Sequence, residues 1–289
     1  MAGSVTTSSH KAADSKAAES PKIAFGIDIG GTGIKGGPVD LSSGRLIKER
    51  VRIPTPHPAT PKAVSKTVAE LLNQCEWDGE AGATFPAVIK SGVACTAANV
   101  DESWIGTDVS GVLGDATGRR IEVLNDADAA GAAEIAYGAG CGRHGVIVVT
   151  TLGTGIGTAV FLHGQLLPNT EFGHLEIDGK DAERRASELV HEQEGLSWEK
   201  WAKRLTTYYS KLEALLWPDL IIVGGGASRK ADKFLHLVDI RTEIVPAQLQ
   251  NDAGIVGAAL AVMVDQSRPE ALKYHKGAKR KRSSDAEDH

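Results

Sequence analysis

The chain has 289 residues, enough for one large domain or two ordinary ones, and a 42% hydrophobic content that can fill a core without disulfide scaffolding. Its three cysteines, Cys75, Cys95 and Cys141, are far apart and make no CxxC pair, which argues against cysteine-held zinc and for a reducing, cytoplasmic setting. A formal net charge of −5 argues against a surface that is one electropositive nucleic-acid footprint, and the sequence has neither an apolar run of membrane-spanning length nor the hydrophobic region of a secretory signal.

In chain order, residues 1–21 are small and polar and read as a disordered segment. From Ile23 to Ile29 a β-branched apolar run ends in glycines, "GIKGGPVD" resumes strand character to Asp40, and "IKERVRIP" follows the turn "SSGRL" as a further strand, so the chain opens as a β-hairpin. Pro61 stands where a first helical residue can lack its N–H, and apolar residues at helical spacing predict a helix over Pro61–Gln74. Strands are predicted at "AVIKSGVAC" and "IEVLND", the second leading into an alanine-rich helix from Asp126. A second cycle then begins: "GVIVVTTLGTGIGTAVFLHGQLLP" repeats the strand, glycine turn and strand of the opening, as if the chain were two duplicated halves. A helix around Leu196 to Leu215, the strand "LIIVGGG" and the helical "DAGIVGAALAVMV" complete the pattern. Alternating strands and helices in two similar halves predict an α/β fold of two lobes with a ligand cleft between them. The C-terminal "KYHKGAKRKRSSDAEDH" reads as a solvated, disordered tail, or as an arm attracted to a polyanion.

Three glycine-rich turns follow strands: "DIGGTG", "TLGTGIG" and "VGGGAS". Each alone is explained by a turn that needs glycine, but three together, two with interleaved threonine, suit a phosphate cradle of convergent N–H groups and hydroxyls. The order of a P-loop is absent, and the first turn leads to a strand rather than to a Rossmann helix. "LNDAD" offers a proton acceptor in Asp126, whose position also suits a helix cap. Asp128 is the weaker base candidate and reads as structural. "EFGHLEIDGKDAERRAS" gathers Glu171, His174, Glu176, Asp178, Asp181 and Glu183, either as a solvated acidic loop or as acceptors for a polyhydroxylated ligand.

"GIDIGGTGIKGG", "TLGTGIG" and "LIIVGGG" resemble the two phosphate motifs and the adenosine-side motif of actin-like sugar kinases. With "SWIGTD", "VLNDADAAG", "PNTEFGHLEIDGKDAERRAS" and "LLWPDLIIVGGGASRKAD", the stretch from Lys22 to Asp265 resembles the polyphosphate-using branch of the ROK sugar kinases. The resemblance implies the two-lobed actin-like (ribonuclease H-like) fold, with a small lobe of residues 22–125 plus 252–265, a large lobe of 126–251 and a charged disordered tail of 266–289. It implies phosphoryl transfer from polyphosphate or ATP to the 6-hydroxyl of glucose, and of mannose if the pocket admits it, with Asp126 as general base. Sugar contacts fall on Asn99, Asn125, Asp126, Glu171, His174 and Glu183, although Asn99 also suits a turn. Phosphate contacts fall on Gly30, Gly31, Thr32, Gly33, Lys35, Thr151, Gly153, Thr154, Gly155, Gly224, Gly225 and Gly226. Asp28 is the expected organiser of Mg2+, through water. The cysteine zinc motif of the wider family is replaced by "IDGKDA", so no zinc is expected and His174 is assigned to the sugar. Arg229, Lys230 and Lys233 are candidates for guiding a polyphosphate chain, with a solvated helix start as the other reading. A homodimer is implied by the family, and no nucleic-acid or membrane partner. A ROK-type sugar-responsive regulator without kinase activity is the competing reading, against which the N-terminal segment shows no helix-turn-helix pattern.

Overall fold

The structure, a computed structural model, describes residues 23–264. The segments expected to be disordered, 1–21 and 266–289, lie outside the described residues. Strands β1 (Ile23–Ile29) and β2 (Ile34–Asp40) form the opening antiparallel hairpin, in a register that sets Asp28 opposite Lys35. Strands β3 (Arg45–Leu46) and β4 (Val51–Ile53) pair antiparallel with β2, so "IKERVRIP" is only in part a strand. Helix α1 (Pro61–Gln74) starts at the proline, with Thr60 as its cap, and buries Val64, Val68, Leu71 and Leu72 at helical spacing. Strand β5 (Ala81–Phe85) returns parallel to β1. After a small hairpin of β6 (Ile89–Lys90) and β7 (Val93–Ala94) and helix α2 (Val109–Thr117), strand β8 (Ile121–Asn125) adds parallel to β5. The sheet order is β3-β2-β1-β5-β8.

Helix α3 (Asp126–Tyr137) leads to the second sheet, where β9 (Val146–Leu152), β10 (Ile156–Leu162) and β11 (Gln165–Leu167) repeat the antiparallel meander. A small hairpin of β12 (Glu176–Ile177) and β13 (Lys180–Asp181) and helices α4 (Glu183–Ala186), α5 (Glu188–Gln193) and α6 (Trp198–Leu216) follow. Strand β14 (Leu220–Gly225) then adds parallel to β9, helix α7 (Ala231–Phe234) intervenes, and β15 (Ile244–Pro246) pairs parallel with β14. The order β11-β10-β9-β14-β15 matches that of the first sheet, strand for strand, as the duplicated sequence pattern implies. Each sheet has its own core, one around Phe25, Ile27, Leu71, Phe85 and Trp104 and one around Val148, Ile156, Trp201, Tyr209 and Ile221.

The last helix, α8 (Ala253–Val264), joins the two halves. It follows the second sheet in the chain but packs on β1, β5 and β8, whereas α3 follows the first sheet and packs on β9 and β10. The two helices cross where a Cβ at Gly257 would overlap the Ala129 carbonyl oxygen. Strand β5 is the central strand that the sequence reading lacks, and its sequence AGATF carries little β signal because α8 lies directly on it: a Cβ at Gly82 would overlap the Ala258 carbonyl. "AVIKSGVAC", read as one strand, is the short hairpin β6–β7 instead. Beside the crossing, buried Glu134 accepts N–H bonds from Ala139 at 2.9 Å, Gln248 at 3.1 Å and Leu249 at 2.7 Å.

Candidate active site

The C-terminal ends of β1, β8, β9 and β14 come together, since Asp126 after β8 feels the charge of Asp28 on β1, Gly157 after the β9 turn lies against Ala127, and Gly225 of β14 lies against Leu152 of β9; such strand ends are where α/β sheets place their ligands. The turn after β1 is closed by the Gly30 N–H bonding to the Gly33 carbonyl at 3.1 Å. Asp28, just behind that turn, accepts the Thr84 hydroxyl at 3.0 Å on Oδ1 and the Lys35 ammonium at 3.3 Å on Oδ2. Lys35, which strand alternation alone left as either solvated or functional, is therefore a cross-strand partner of Asp28. The exposed Thr32 side chain stands at the turn's tip, and Asn99, with a left-handed φ of 60°, lies over Gly31. Sequence reasoning missed Arg52: it donates to the Thr32 carbonyl at 2.9 Å, and its guanidinium fills the space that a side chain at Gly33 would take. The register of β4 on β2 sets Arg52 opposite Lys35, a relation that no local sequence signal marks.

The second turn mirrors the first, the Gly153 N–H bonding to the Gly155 carbonyl at 3.1 Å, with Thr154 exposed at its tip. Thr151 lies on β9 behind it. At the third turn, Gly225 adopts a φ of 77°, which only glycine takes readily, and its Cα side faces the Leu152 backbone, so the second and third turns abut. Gly224 ends in the same strand, and Gly226 lies against the Glu188 carboxylate.

Asp126 is the first residue of α3, and the helix cap is not Asp126 but Asn125, whose Oδ1 accepts the N–H groups of Ala127 at 2.8 Å and Asp128 at 3.1 Å. Asn125 also donates to the Ala87 carbonyl at 3.1 Å and is buried, so its carboxamide is largely committed to orienting this junction rather than to a ligand. Freed from capping, the Asp126 carboxylate is exposed to the water of the cleft, with protein around it on its other sides. That enclosure, together with the negative charges of Asp28 and Glu171, pushes its pKa up to about 6 against the pull of the Ala127 N–H. Asp128 is 2% exposed, and burial first, then the charges of Asp126 and Glu171, push it up to about 7.

Facing Asp126, the turn at residues 171–174 and the start of α4 bring the acidic loop together. His174 Nδ1 lies 3.2 Å from Asp181 Oδ2 and 3.9 Å from Glu183 Oε1, while its Nε2 lies 3.9 Å from Glu171 Oε2. Desolvation raises the Glu171 pKa, partly offset by His174. Glu183 accepts the Ile156 N–H at 3.4 Å, which ties the loop to the second glycine turn. Glu176 and Asp178 lie away from this group, Asp178 being paired with Arg185. Among the described residues, His174, Asp181 and Glu183 also form the one trio whose ligand atoms all lie within 4.8 Å of one another.

The proposed polyphosphate cations do not share one environment. Arg229 is exposed, Lys230 is paired with Glu188 at 3.2 Å and Glu192 at 3.4 Å, and Lys233 lies over the Trp198 ring at 5.6 Å. The two acids neutralise Lys230, so it offers a passing phosphate chain less than the sequence suggests.

Comparison with known proteins follows the same lines. The ROK family model matches residues 24–188. The chain is 52% identical over 262 residues to the polyphosphate glucokinase of Mycobacterium tuberculosis (strain CDC 1551 / Oshkosh), covering 90% of this chain and 99% of that protein. It is likewise 52% identical to the inorganic polyphosphate/ATP-glucomannokinase of Arthrobacter sp. strain KM, whose crystal structure superposes with a TM-score of 0.80 over 83% of this chain and 98% of that one. A ROK family glucokinase from Streptomyces griseus, in complex with glucose and AMPPNP, shares the fold at 23% identity, with a TM-score of 0.71 over 82% of this chain and 98% of that one. With the family model covering more than half of the sequence and the two-lobed fold shared, the chain belongs to the ROK family.

Proposed function

We propose that the chain is a kinase that transfers a phosphoryl group from inorganic polyphosphate, or from ATP, to the 6-hydroxyl of glucose, and that mannose is also accepted. The observation that carries the reading is the position of Asp126: a carboxylate freed from capping, between a loop of sugar-type acceptors and two threonine-tipped glycine turns. It is supported by the similarity to polyphosphate glucokinases and to a glucomannokinase over nearly the whole chain.

Asp126 accepts the 6-hydroxyl proton as the sugar oxygen attacks, and a pKa of about 6 leaves it mostly ionised at neutral pH. Glu171, His174 and Glu183 hold the ring hydroxyls, Asn99 reaches the sugar from the first lobe, and Asn125 keeps the base in place. The backbone N–H groups and hydroxyls of the Thr32 and Thr154 turns hold the donor phosphates, with Gly30, Gly31, Gly33, Thr151, Gly153, Gly155 and Gly224 to Gly226 lining that path. Arg52 and Arg229 extend it with positive charge. Asp28 suits Mg2+ held through water, because both its oxygens already accept hydrogen bonds and a hydrated ion can share them. Mg2+, when bound, neutralises charge on the transferring phosphate. The two lobes close on the sugar and exclude water as a competing acceptor. A homodimer and a cytoplasmic setting belong to the same proposal; among the described residues no helix is long and apolar enough to cross a membrane.

The test is glucose 6-phosphate formation with polyphosphate and with ATP, beside Asp126→Ala. The wild type should turn over with both donors, and the variant should lose about 10^2- to 10^4-fold in kcat. The wild-type kcat/KM should fall about tenfold per pH unit below about 6, as Asp126 gains its proton. Equal inertness of both proteins with both donors would overturn the kinase reading.

A further inference from the structure

The loop that carries Glu171 and His174 is fastened at three points, none of which belongs to the loop's acidic cluster. Two residues before Glu171, the Asn169 N–H donates to Asp128 Oδ2 at 2.8 Å, so the loop hangs from the helix that begins with Asp126. The Asn169 carboxamide then reaches the first lobe. Its Oδ1 accepts the Ile89 N–H and its Nδ2 donates to the Ile89 carbonyl, both at 2.8 Å, so the side chain pairs with β6 much as a neighbouring strand would. This clasp is held in a left-handed backbone with φ 58°, a conformation that asparagine tolerates better than other side chains. The next residue, Thr170, is bound to β10, behind the second glycine turn: its carbonyl accepts the Thr158 hydroxyl at 2.6 Å, and its own hydroxyl donates to the Thr158 carbonyl at 3.0 Å.

We infer that Asn169 is a positioning residue for sugar recognition: through Asp128 and Ile89 it sets the Glu171–His174 loop against the base helix and the first lobe together. The inference rests on the kinase reading of this site and adds to it the group that aligns its two halves. The connections account for its direction of action. Asp128 is one half-turn of helix beyond Asp126, so a loop fastened there moves with the base. Ile89 lies just past the Ala87 carbonyl that holds Asn125, so the clasp and the base junction share one stretch of the first lobe. The donor turns are closed by their own glycine hydrogen bonds, and the links from the loop to the second turn, through Thr170 and Glu183, do not pass through the Asn169 carboxamide. Loss of the clasp should therefore loosen the hold on sugar while leaving the hold on donor largely intact. Asp128 serves as an acceptor here, a role that a neutral amide oxygen fills as well, and burial already pushes its carboxyl up to about 7.

The test compares Asn169→Gly, Asp128→Ala and Asp128→Asn with the wild type. Glycine keeps the left-handed backbone and removes only the carboxamide, so the variant should fold with a near-parental melting temperature. Asn169→Gly and Asp128→Ala should raise the glucose KM at least tenfold, with kcat changed less than threefold and the polyphosphate KM less than twofold; Asp128→Asn should restore most of what Asp128→Ala loses. Glucose should also slow hydrogen exchange at the Ile89 and Asn169 amides of the wild type. A parental glucose KM in Asn169→Gly, an equal rise in the polyphosphate KM, or exchange at those amides unchanged by glucose would overturn the inference. A wild type that phosphorylates no sugar would instead overturn the kinase reading, with the exchange measurement still deciding whether sugar engages the clasp.

Discussion

Asp128 makes the site's electrostatics measurable in the folding equilibrium. The side chain is 2% exposed, its Oδ2 accepts one N–H, and its Oδ1 is buried without a hydrogen-bond partner. Burial raises its pKa from an ordinary 3.8 to about 7 in the folded protein. A carboxyl raised on folding binds its proton more tightly in the folded state. Its stabilising contribution is thus complete below the unfolded value and is lost as pH rises through the folded one. Asp128→Asn carries no such titration and keeps an acceptor for Asn169. Any N–H of its amide that is left without a partner costs the same at every pH. Linkage between pKa values near 3.8 and 7 takes roughly 3 kcal/mol from the wild type between pH 5 and pH 8. The stability of Asp128→Asn relative to wild type should therefore rise by roughly that amount over the same interval. Urea denaturation of both proteins at pH 5, 6, 7 and 8 measures the difference, and contributions from Asp126 and other groups common to both largely cancel. Parallel pH curves for the two proteins would refute the reasoning, because they would mean that Asp128 titrates as an ordinary exposed carboxylate.

Three further outcomes follow from contacts elsewhere. Glu134→Ala leaves the N–H groups of Ala139, Gln248 and Leu249 without their acceptor and should cost roughly 3 kcal/mol or more, read as a lowered urea midpoint. Gly257→Ala forces a methyl into the Ala129 carbonyl, where backbone meets backbone and no side chain can yield; a loss of about 1–3 kcal/mol is expected, and an unchanged melting temperature would show that α3 and α8 do not cross so closely. Arg52→Ala should raise the polyphosphate KM and flatten its dependence on salt, with the glucose KM unchanged, when initial rates are compared between low and moderate ionic strength.

What the sequence made legible were the elements with strong local signals. The β1–β2 hairpin, α1 with its proline start, and α6 and β14 lie close to where the pattern placed them, because α1 and α6 each bury one apolar stripe while β1 and β14 are apolar runs, buried on both faces, that lead into glycine turns. The glycine turns and the start of α3 at Asp126 were legible because tight turns and helix starts have local signatures. Strand β5 was not, since its alanines and glycine answer to a helix 170 or so positions away in the chain, and Thr84, the partner of Asp28, was lost with it. Arg52 and Asn169 were missed for a related reason. One owes its place to a strand register and the other to a side chain that imitates a strand, and neither relation exists until the chain has folded. Asp126 suited either a cap or a base in the sequence, and the structure gives the cap to Asn125 one residue earlier, at a helix boundary where local signals are weakest.

The crossing of α3 and α8 also bears on the position of Asp126, the proposed base. Each helix follows one sheet in the chain and packs on the other, and their backbones meet at Gly257 and Ala129, which makes that contact the expected pivot of lobe closure in the proposed kinase. Asp126 stands at the start of α3, beside that pivot, while the Thr32 turn belongs to the first sheet and the Thr154 turn to the second. In the proposed kinase, a closing motion about that contact would carry the Thr32 and Thr154 turns toward each other and leave Asp126 nearly still. In that reading, proton acceptance, which needs a fixed distance to one hydroxyl, would be set at the pivot, and the phosphate chain, which must enter and leave, at the moving edges. The Asn169 clasp lies on the same side of that division as the base, which is why its loss is expected to weaken the hold on sugar and not on the donor.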